Sequence, residues 1–112
     1  MPTRLDEASF RRLSDACLGA HANWLADFDP DELDTLESDG VLTLEFADGT
    51  RFVLNRQSGN GQMWYAAGAR AWHYDWNAER AAWLDDRDGH ELDTNLRRTV
   101  AEKLGREHPA PG

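Results

Sequence analysis

The stretch SDGVLTLEFADGTRFVLNRQSGNGQMWYAA, residues 38–67, decides the fold because it predicts three consecutive strands joined by short turns. In VLTLEF (41–46) apolar and polar residues alternate with the period of two that a half-buried strand requires. An Ala-Asp-Gly hairpin signal precedes TRFVLNRQ (50–57), and an SGNG loop leads into QMWYAA. Strands joined by tight turns pair antiparallel. The residues predicted to face the core are Leu42, Leu44, Phe46, Phe52, Leu54, Met63 and Tyr65.

Helices are predicted on both sides of this stretch. Residues 5–28 carry apolar side chains at helical spacing, with Thr3 or Asp6 as the N-cap. Asp88, with a Glu three positions later, has capping-box spacing before a second helix, which Gly105 ends. The first predicted apolar stripe comprises Phe10, Leu13, Cys17, Ala20, Trp24 and Phe28, and the second comprises Leu92, Leu96, Val100 and Leu104.

Further strands complete the predicted sheet. LDTLES (33–38) is a candidate first strand, but its poor alternation assigns neither face. AWHYDW (71–76) alternates clearly, and AAWLDD (81–86) is a short closing strand. The core face of AWHYDW is predicted to hold Trp72, Tyr74 and Trp76. The order helix, strands, helix predicts an α+β two-layer sandwich, with both terminal helices on one face of an antiparallel sheet and the other face open to water.

Length and composition bound the class of protein. We expect a single domain over residues 1–105 and a flexible tail over 106–112. No segment approaches the ~20 apolar residues of a membrane helix, and the start of the chain lacks a signal-peptide apolar region, so we expect a cytoplasmic protein without membrane association. The single cysteine, Cys17, excludes an internal disulfide and a thiolate zinc site. Its place on the apolar stripe favours a small core residue over a reactive thiol.

The charge is unevenly distributed along the chain. The net charge is -9, and no Lys or Arg occurs between Arg12 and Arg51. A surface of this kind repels nucleic acid and attracts cations or a basic protein, although acidic surfaces also serve solubility alone. The acids of this interval, predicted to have no compensating cation, are Asp15, Asp27, Asp29, Asp31, Glu32, Asp34, Glu37, Asp39, Glu45 and Asp48.

Recognised catalytic motifs are absent from the sequence, and we expect no catalytic residue. It contains no Gly-x-Ser-x-Gly elbow, no phosphate-binding Gly-rich loop before a helix and no His-Glu-x-x-His. His21 is predicted to be solvated on a helix flank. The run DFDPDELD (27–34) lacks the spacing of an EF-hand loop. It is instead typical of a weak, exchangeable site for hard or borderline cations such as Fe(II), Fe(III), Mn(II), Mg(II) or Ca(II), because its carboxylates have no enclosing cage.

The outward face of the sheet is a second candidate site. Trp64 is predicted to lie there, because its neighbours Met63 and Tyr65 are assigned to the core. An aromatic side chain among amides is typical of a protein-binding patch. The alternative is that Trp64 only covers neighbouring side chains. The predicted members of this face are Asn55, Gln57, Gln62, Trp64 and His73, with Asn60 on the adjoining loop.

From about Phe10 to Leu104 the chain resembles bacterial frataxins, through LSDACL, SDGVLTLEFADGT, LNRQSGNGQMWYAA, WHYDW and DGHEL. The resemblance implies two helices packed on an antiparallel sheet and weak surface binding of iron by exposed carboxylates. It also implies association with the cysteine desulfurase and the scaffold protein of iron–sulfur cluster assembly. The implied iron-binding ridge comprises Asp15, Asp27, Asp29, Asp31, Glu32 and Asp34. The implied partner surface comprises Asn60, Gln62 and Trp64, with Asn55, Gln57 and His73 around them.

The chain departs from bacterial frataxins in the later half of the first helix, where relatives often carry several acids. Ala22, Asn23 and Ala26 occupy these positions, so we expect iron to bind more weakly than is typical of the family. The leading hypothesis is a non-enzymatic, iron-binding regulator of iron–sulfur cluster assembly, monomeric unless iron drives oligomers. The alternatives are ferroxidation with iron storage in oligomers, and an acidic adaptor that binds no metal.

Overall fold

The computed structural model of the protein describes residues 5–105, in which two helices enclose six strands along the chain. Helix α1 spans Glu7–Leu25 and helix α2 spans Leu92–Leu104. The strands are β1 Leu33–Ser38, β2 Val41–Phe46, β3 Arg51–Gln57, β4 Gln62–Ala67, β5 Arg70–Asn77 and β6 Ala82–Asp85. They form one sheet in chain order, and each strand is antiparallel to the next. The predicted tail, residues 106–112, lies outside the described residues.

The core lies between this sheet and the two helices, as the strand alternation predicts. Leu42, Leu44, Leu54, Met63 and Tyr65 are fully buried on the helix-facing side. The helices reach the same side. Phe10 of α1 packs edge-on against Trp83 of β6, and the Tyr65 hydroxyl lies 2.7 Å from the Thr99 hydroxyl of α2. The predicted α+β two-layer sandwich is therefore confirmed, with one sheet face uncovered by helices.

Helix α1 buries a different stripe from the predicted one. Ala20 is exposed and Leu13, Trp24 and Phe28 are only half-buried. The face that packs on the sheet comprises Phe10, Ser14, Cys17, Leu18, His21, Ala22 and Leu25. The rotation brings two leucines inward in place of an alanine, which buries more apolar area. It also buries His21, so the prediction that this histidine is solvated is wrong.

The helix ends follow local chemistry. Asp6 is the N-cap of α1, because its side chain accepts a hydrogen bond from the Ser9 N–H at 2.7 Å. The predicted capping box of α2 is wrong. Glu91 is the N-cap and makes no side-chain capping bond, whereas the Asp88 carboxylate accepts from the His90 N–H at 3.0 Å. Gly105 ends α2 in the left-handed conformation, as predicted. Neither helix within residues 5–105 has the length and apolar content that a membrane crossing requires.

Strand β1 lies at the edge of the sheet, which explains its poor alternation. Leu33 is buried, while Leu36 points to the opposite face and is 58% exposed. An edge strand has a neighbour on only one side, so fewer of its positions need apolar side chains. The structure thus assigns the faces that the sequence leaves open.

Candidate functional site

The carboxylates between α1 and β1 lie on a compact turn, which we call the acidic turn and define as Asp27, Asp29, Asp31, Glu32 and Asp34. The Asp29 carbonyl accepts hydrogen bonds from the Glu32 and Leu33 N–H groups at 2.8 and 2.9 Å. The Asp29 carboxylate accepts from the Asp31 N–H at 2.9 Å. Asp27, Asp29, Asp31 and Asp34 are all exposed. The backbone therefore holds a dense negative charge in water.

The fold supplies cations to several of the acids that were predicted to lack one. Asp15 and Asp39 both pair with Arg56 of β3, the latter at 3.0 Å. Glu45 pairs with Arg51 at 3.1 Å. Asp48 lies 2.5 Å from the Lys103 ammonium of α2. The prediction of ten uncompensated carboxylates is therefore wrong, because β3 and α2 bring cations from distant parts of the chain.

The four aspartates of the acidic turn, in contrast, have no neutralising cation among residues 5–105. Within residues 5–105, no salt bridge reaches Asp27, Asp29, Asp31 or Asp34. The ligand atoms of the turn do not converge into a cage. In the described part of the chain, only Asp85, Asp88 and His90 place such atoms within 4.8 Å of one another. The turn can thus offer oxygen ligands to a hard cation only in an open and exchangeable way.

The sequence did not predict the group of Asp85, Asp88 and His90, and hydrogen bonds within its loop and to Tyr74 of β5 explain its geometry. Asp85 accepts from the Arg87 and Asp88 N–H groups at 2.9 and 3.0 Å. His90 Nδ1 lies 2.5 Å from the Asp88 carboxylate, and its Nε2 lies 2.7 Å from the Tyr74 hydroxyl. These bonds shape the connection from β6 to α2.

The departures in α1 also have a structural meaning. Ala22 is buried against the core, where a solvated carboxylate would not fit, whereas Asn23 and Ala26 are exposed. The α1 surface beside the acidic turn therefore lacks the additional oxygen ligands that several acids would supply.

The predicted residues of the outward sheet face come together around Trp64. Asn55 is its cross-strand neighbour on β3 and His73 its neighbour on β5, while Gln57 lies opposite Gln62. Asn60 is exposed on the turn between β3 and β4. Trp64 points away from the core, as predicted, and is half-buried because it stacks on the His73 ring with a centroid distance of 4.3 Å.

A hydrogen-bond network fixes the Trp64 ring. Its indole N–H donates to Gln62 Oε1 at 3.0 Å, and Gln62 Nε2 donates to Asp75 at 3.1 Å and to Asp86 at 3.2 Å. The sequence did not predict these two aspartates as part of the surface, because only the pairing of β4, β5 and β6 in the sheet brings them to Gln62. The network holds the Trp64 ring in place before any partner binds. Binding through this ring would therefore cost little conformational entropy.

Comparisons with known proteins match this architecture. A family model described as "Frataxin-like domain" matches residues 3–106. The chain is 43% identical over 81 residues to the iron-sulfur cluster assembly protein CyaY of Thioalkalivibrio sulfidiphilus, covering 72% of this chain and 71% of the relative. It is 33% identical over 108 residues to the protein of the same name from Pseudomonas fluorescens, covering 96% and 97%.

Solved structures agree with the sequence relatives. Frataxin from Psychromonas ingrahamii superposes with a TM-score of 0.78 at 28% identity, covering 91% of this chain and 94% of that one. The trimeric frataxin of Saccharomyces cerevisiae, complexed with ferrous iron, superposes with a TM-score of 0.66 at 25% identity, covering 95% and 92%.

Proposed function

This chain belongs to the frataxin-like family, and from that premise we propose that it is an iron-binding regulator of iron–sulfur cluster assembly in the cytoplasm. The observation that carries the proposal is the acidic turn, whose exposed aspartates have no salt bridge within residues 5–105. Uncompensated carboxylates repel one another, and a bound cation or basic protein relieves that repulsion.

Iron is proposed to bind at the acidic turn rather than along α1. Carboxylates suit Fe(II) and Fe(III), and the open arrangement of the turn favours weak, exchangeable binding. Asp15, which the family resemblance includes, is left out of the proposed site because its carboxylate is bound to Arg56.

Two partners are proposed for two surfaces. The acidic turn fits the cysteine desulfurase through a basic surface on that enzyme, by long-range attraction. The Trp64 surface fits the scaffold protein, because a fixed aromatic ring among amide groups is typical of a contact that dominates binding energy.

The iron proposal is tested by following the backbone amides by NMR during Fe(II) titration. We expect the Asp27 to Asp34 amides to shift or broaden first. Reversing Asp29 and Asp31 to Lys should abolish that response. Reversing Glu7 and Glu79, which are exposed elsewhere, changes the net charge equally and should leave it intact. Unmoved amides in the acidic turn would instead favour a metal-independent adaptor.

The regulatory proposal is tested by desulfurase and cluster-assembly rates measured with and without the protein at several iron concentrations. A change in rate that depends on iron supports it, and equal rates at every iron level contradict it. The trimeric, iron-bound yeast relative favours ferroxidation with iron storage as the second candidate. That function predicts faster Fe(II) oxidation and iron-dependent particles in light scattering.

A further inference from the structure

Cys17, His21 and Asp93 form a connected row of side chains between the two helices. Cys17 Sγ lies 3.6 Å from His21 Nδ1, one helical turn away on α1. His21 Nε2 lies 3.0 Å from the Asp93 carboxylate of α2. A nucleophile beside an imidazole that a carboxylate orients is the arrangement that activates cysteine and serine nucleophiles.

The imidazole in this row is positively charged. Burial alone would lower the pKa of His21, but hydrogen bonds with Asp93 and Cys17 outweigh burial and raise the pKa to about 10. Both ring nitrogens therefore carry protons. The Nε2–H donates to Asp93, and the Nδ1–H donates to the Cys17 carbonyl at 2.8 Å on the side where the sulfur lies. The imidazolium therefore lies directly beside the sulfur, whose deprotonated form is the nucleophile in thiol chemistry.

Cys17 also lines a cavity of about 320 Å³ between α1, the β5–β6 hairpin and the start of α2. Cys17 is only 9% exposed, so a reagent would reach the sulfur through this cavity. The volume is that of a small-molecule site, and apolar walls favour uncharged compounds. The apolar lining includes Leu13, Ala20, Trp76, Trp83 and Leu92.

We propose that Cys17, His21 and Asp93 form a thiol site that exchanges with small, uncharged disulfides entering this cavity. The Cys17 thiolate, whose proton has passed to solvent, attacks one sulfur of the disulfide. A bond forms between Sγ and that sulfur while the original S–S bond breaks. The departing sulfur leaves with the electron pair and takes a proton from water, so the disulfide itself is the oxidant.

This site goes beyond the proposed iron function, because none of its three residues belongs to the acidic turn or to the Trp64 surface. Its test therefore needs neither iron nor a partner protein, and its failure would leave the iron proposal untouched.

The test compares the rate of thiol exchange in the folded and unfolded states of the full chain. Cys17 is the only cysteine, so thiopyridone released from 4,4′-dithiodipyridine, an uncharged disulfide, reports on it alone. We expect the native rate to equal or exceed the rate in guanidinium chloride. A native rate below that of the unfolded chain would identify Cys17 as an inert core thiol and overturn the proposal.

Variants separate chemistry from packing. His21→Gln removes the charge and should slow the native reaction about tenfold. Asp93→Asn should also slow it, and Asp93→Glu, which keeps the carboxylate, should restore part of the rate. Val100→Ala loosens the packing of α2 without touching the three residues, so the native reaction should not become slower in this variant. An unchanged or faster rate in His21→Gln would overturn the proposal, since loosened packing alone speeds exposure of the sulfur.

Discussion

Carboxylates occur in two contrasting environments on this molecule. Asp15 and Asp39 converge on Arg56, whose side chain is 7% exposed, and Asp93 lies against buried His21. The aspartates of the acidic turn stand in water without a salt bridge in residues 5–105. Paired acids connect elements of the fold, whereas the charge of the unpaired aspartates is exposed to solvent. The contrast shows that acids as close in sequence as Asp34 and Asp39 can have opposite environments.

The His21–Asp93 pair should produce the largest effect, which is a loss of stability in alkaline solution. The pKa of His21 is raised, so its contribution is complete below its ordinary value near 6.5 and is lost as pH rises towards about 10. The hydrogen bond from His21 holds the pKa of Asp93 at about 2, so that contribution is lost only in strong acid. Between about pH 6 and about pH 9, the free energy of unfolding should fall by at most about 1.4 kcal/mol per pH unit.

Urea unfolding at the two pH values measures this effect. Asp93→Asn should have lower stability at about pH 6 and a flatter dependence on pH. An equal slope in the wild type and the variant would show that the pair does not control alkaline stability.

Removing partners from Arg56 should produce the next largest effect. Asp15→Asn combined with Asp39→Asn leaves the guanidinium unpaired and should cost about 2 kcal/mol, below the full value for a buried pair because both aspartates are partly solvated. The matched double variant, Asp29→Asn with Asp31→Asn, should change stability by less than about 0.5 kcal/mol. Chemical denaturation compares the two, and equal losses would break the distinction between paired and unpaired acids.

Trp64→Ala tests the uncharged Trp64 surface separately from the carboxylates. We expect scaffold binding to weaken by about 2 kcal/mol, roughly 30-fold, with iron binding unchanged. The core should persist, because Met63 and Tyr65 fill the inward positions of β4. Calorimetric titration measures the affinity for the scaffold protein. The control is Ala66→Ser at an exposed position on the same strand, which should leave that affinity unchanged. Loss of cooperative folding in Trp64→Ala would contradict the assignment of this residue as a contact.

The smallest effect concerns salt. Replacing Asp29, Asp31 and Asp34 by Asn should weaken desulfurase binding about tenfold at low ionic strength. This difference in affinity should fade at about 0.15 M salt, because exposed charges are then screened beyond about 8 Å. Trp64→Ala should weaken its own complex similarly at both salt concentrations. Equal salt dependence of the two losses would contradict a division into charged and aromatic surfaces.

The strands and the outward direction of Trp64 were predictable because side chains alternate across a strand, so the apolar pattern alone decides the faces. The burial of every second residue in β2 and β4 shows this clearly. The apolar pattern did not predict the buried face where neighbouring elements, rather than alternation, decide burial. Edge strand β1 has a single neighbouring strand, and the buried stripe of α1 is set by which neighbours its side chains meet, which placed Leu18 and His21 inside and Ala20 outside.

The sequence by itself determined the antiparallel α+β architecture, the acidic turn and the aromatic sheet face, because each depends on residues close together along the chain. Only the tertiary structure decided which charges are neutralised. Arg56 meets Asp15 across 41 residues, and His21 meets Asp93 across 72. Coulomb energy depends on distance in space and on burial, and neither quantity is written in the spacing of residues along a chain.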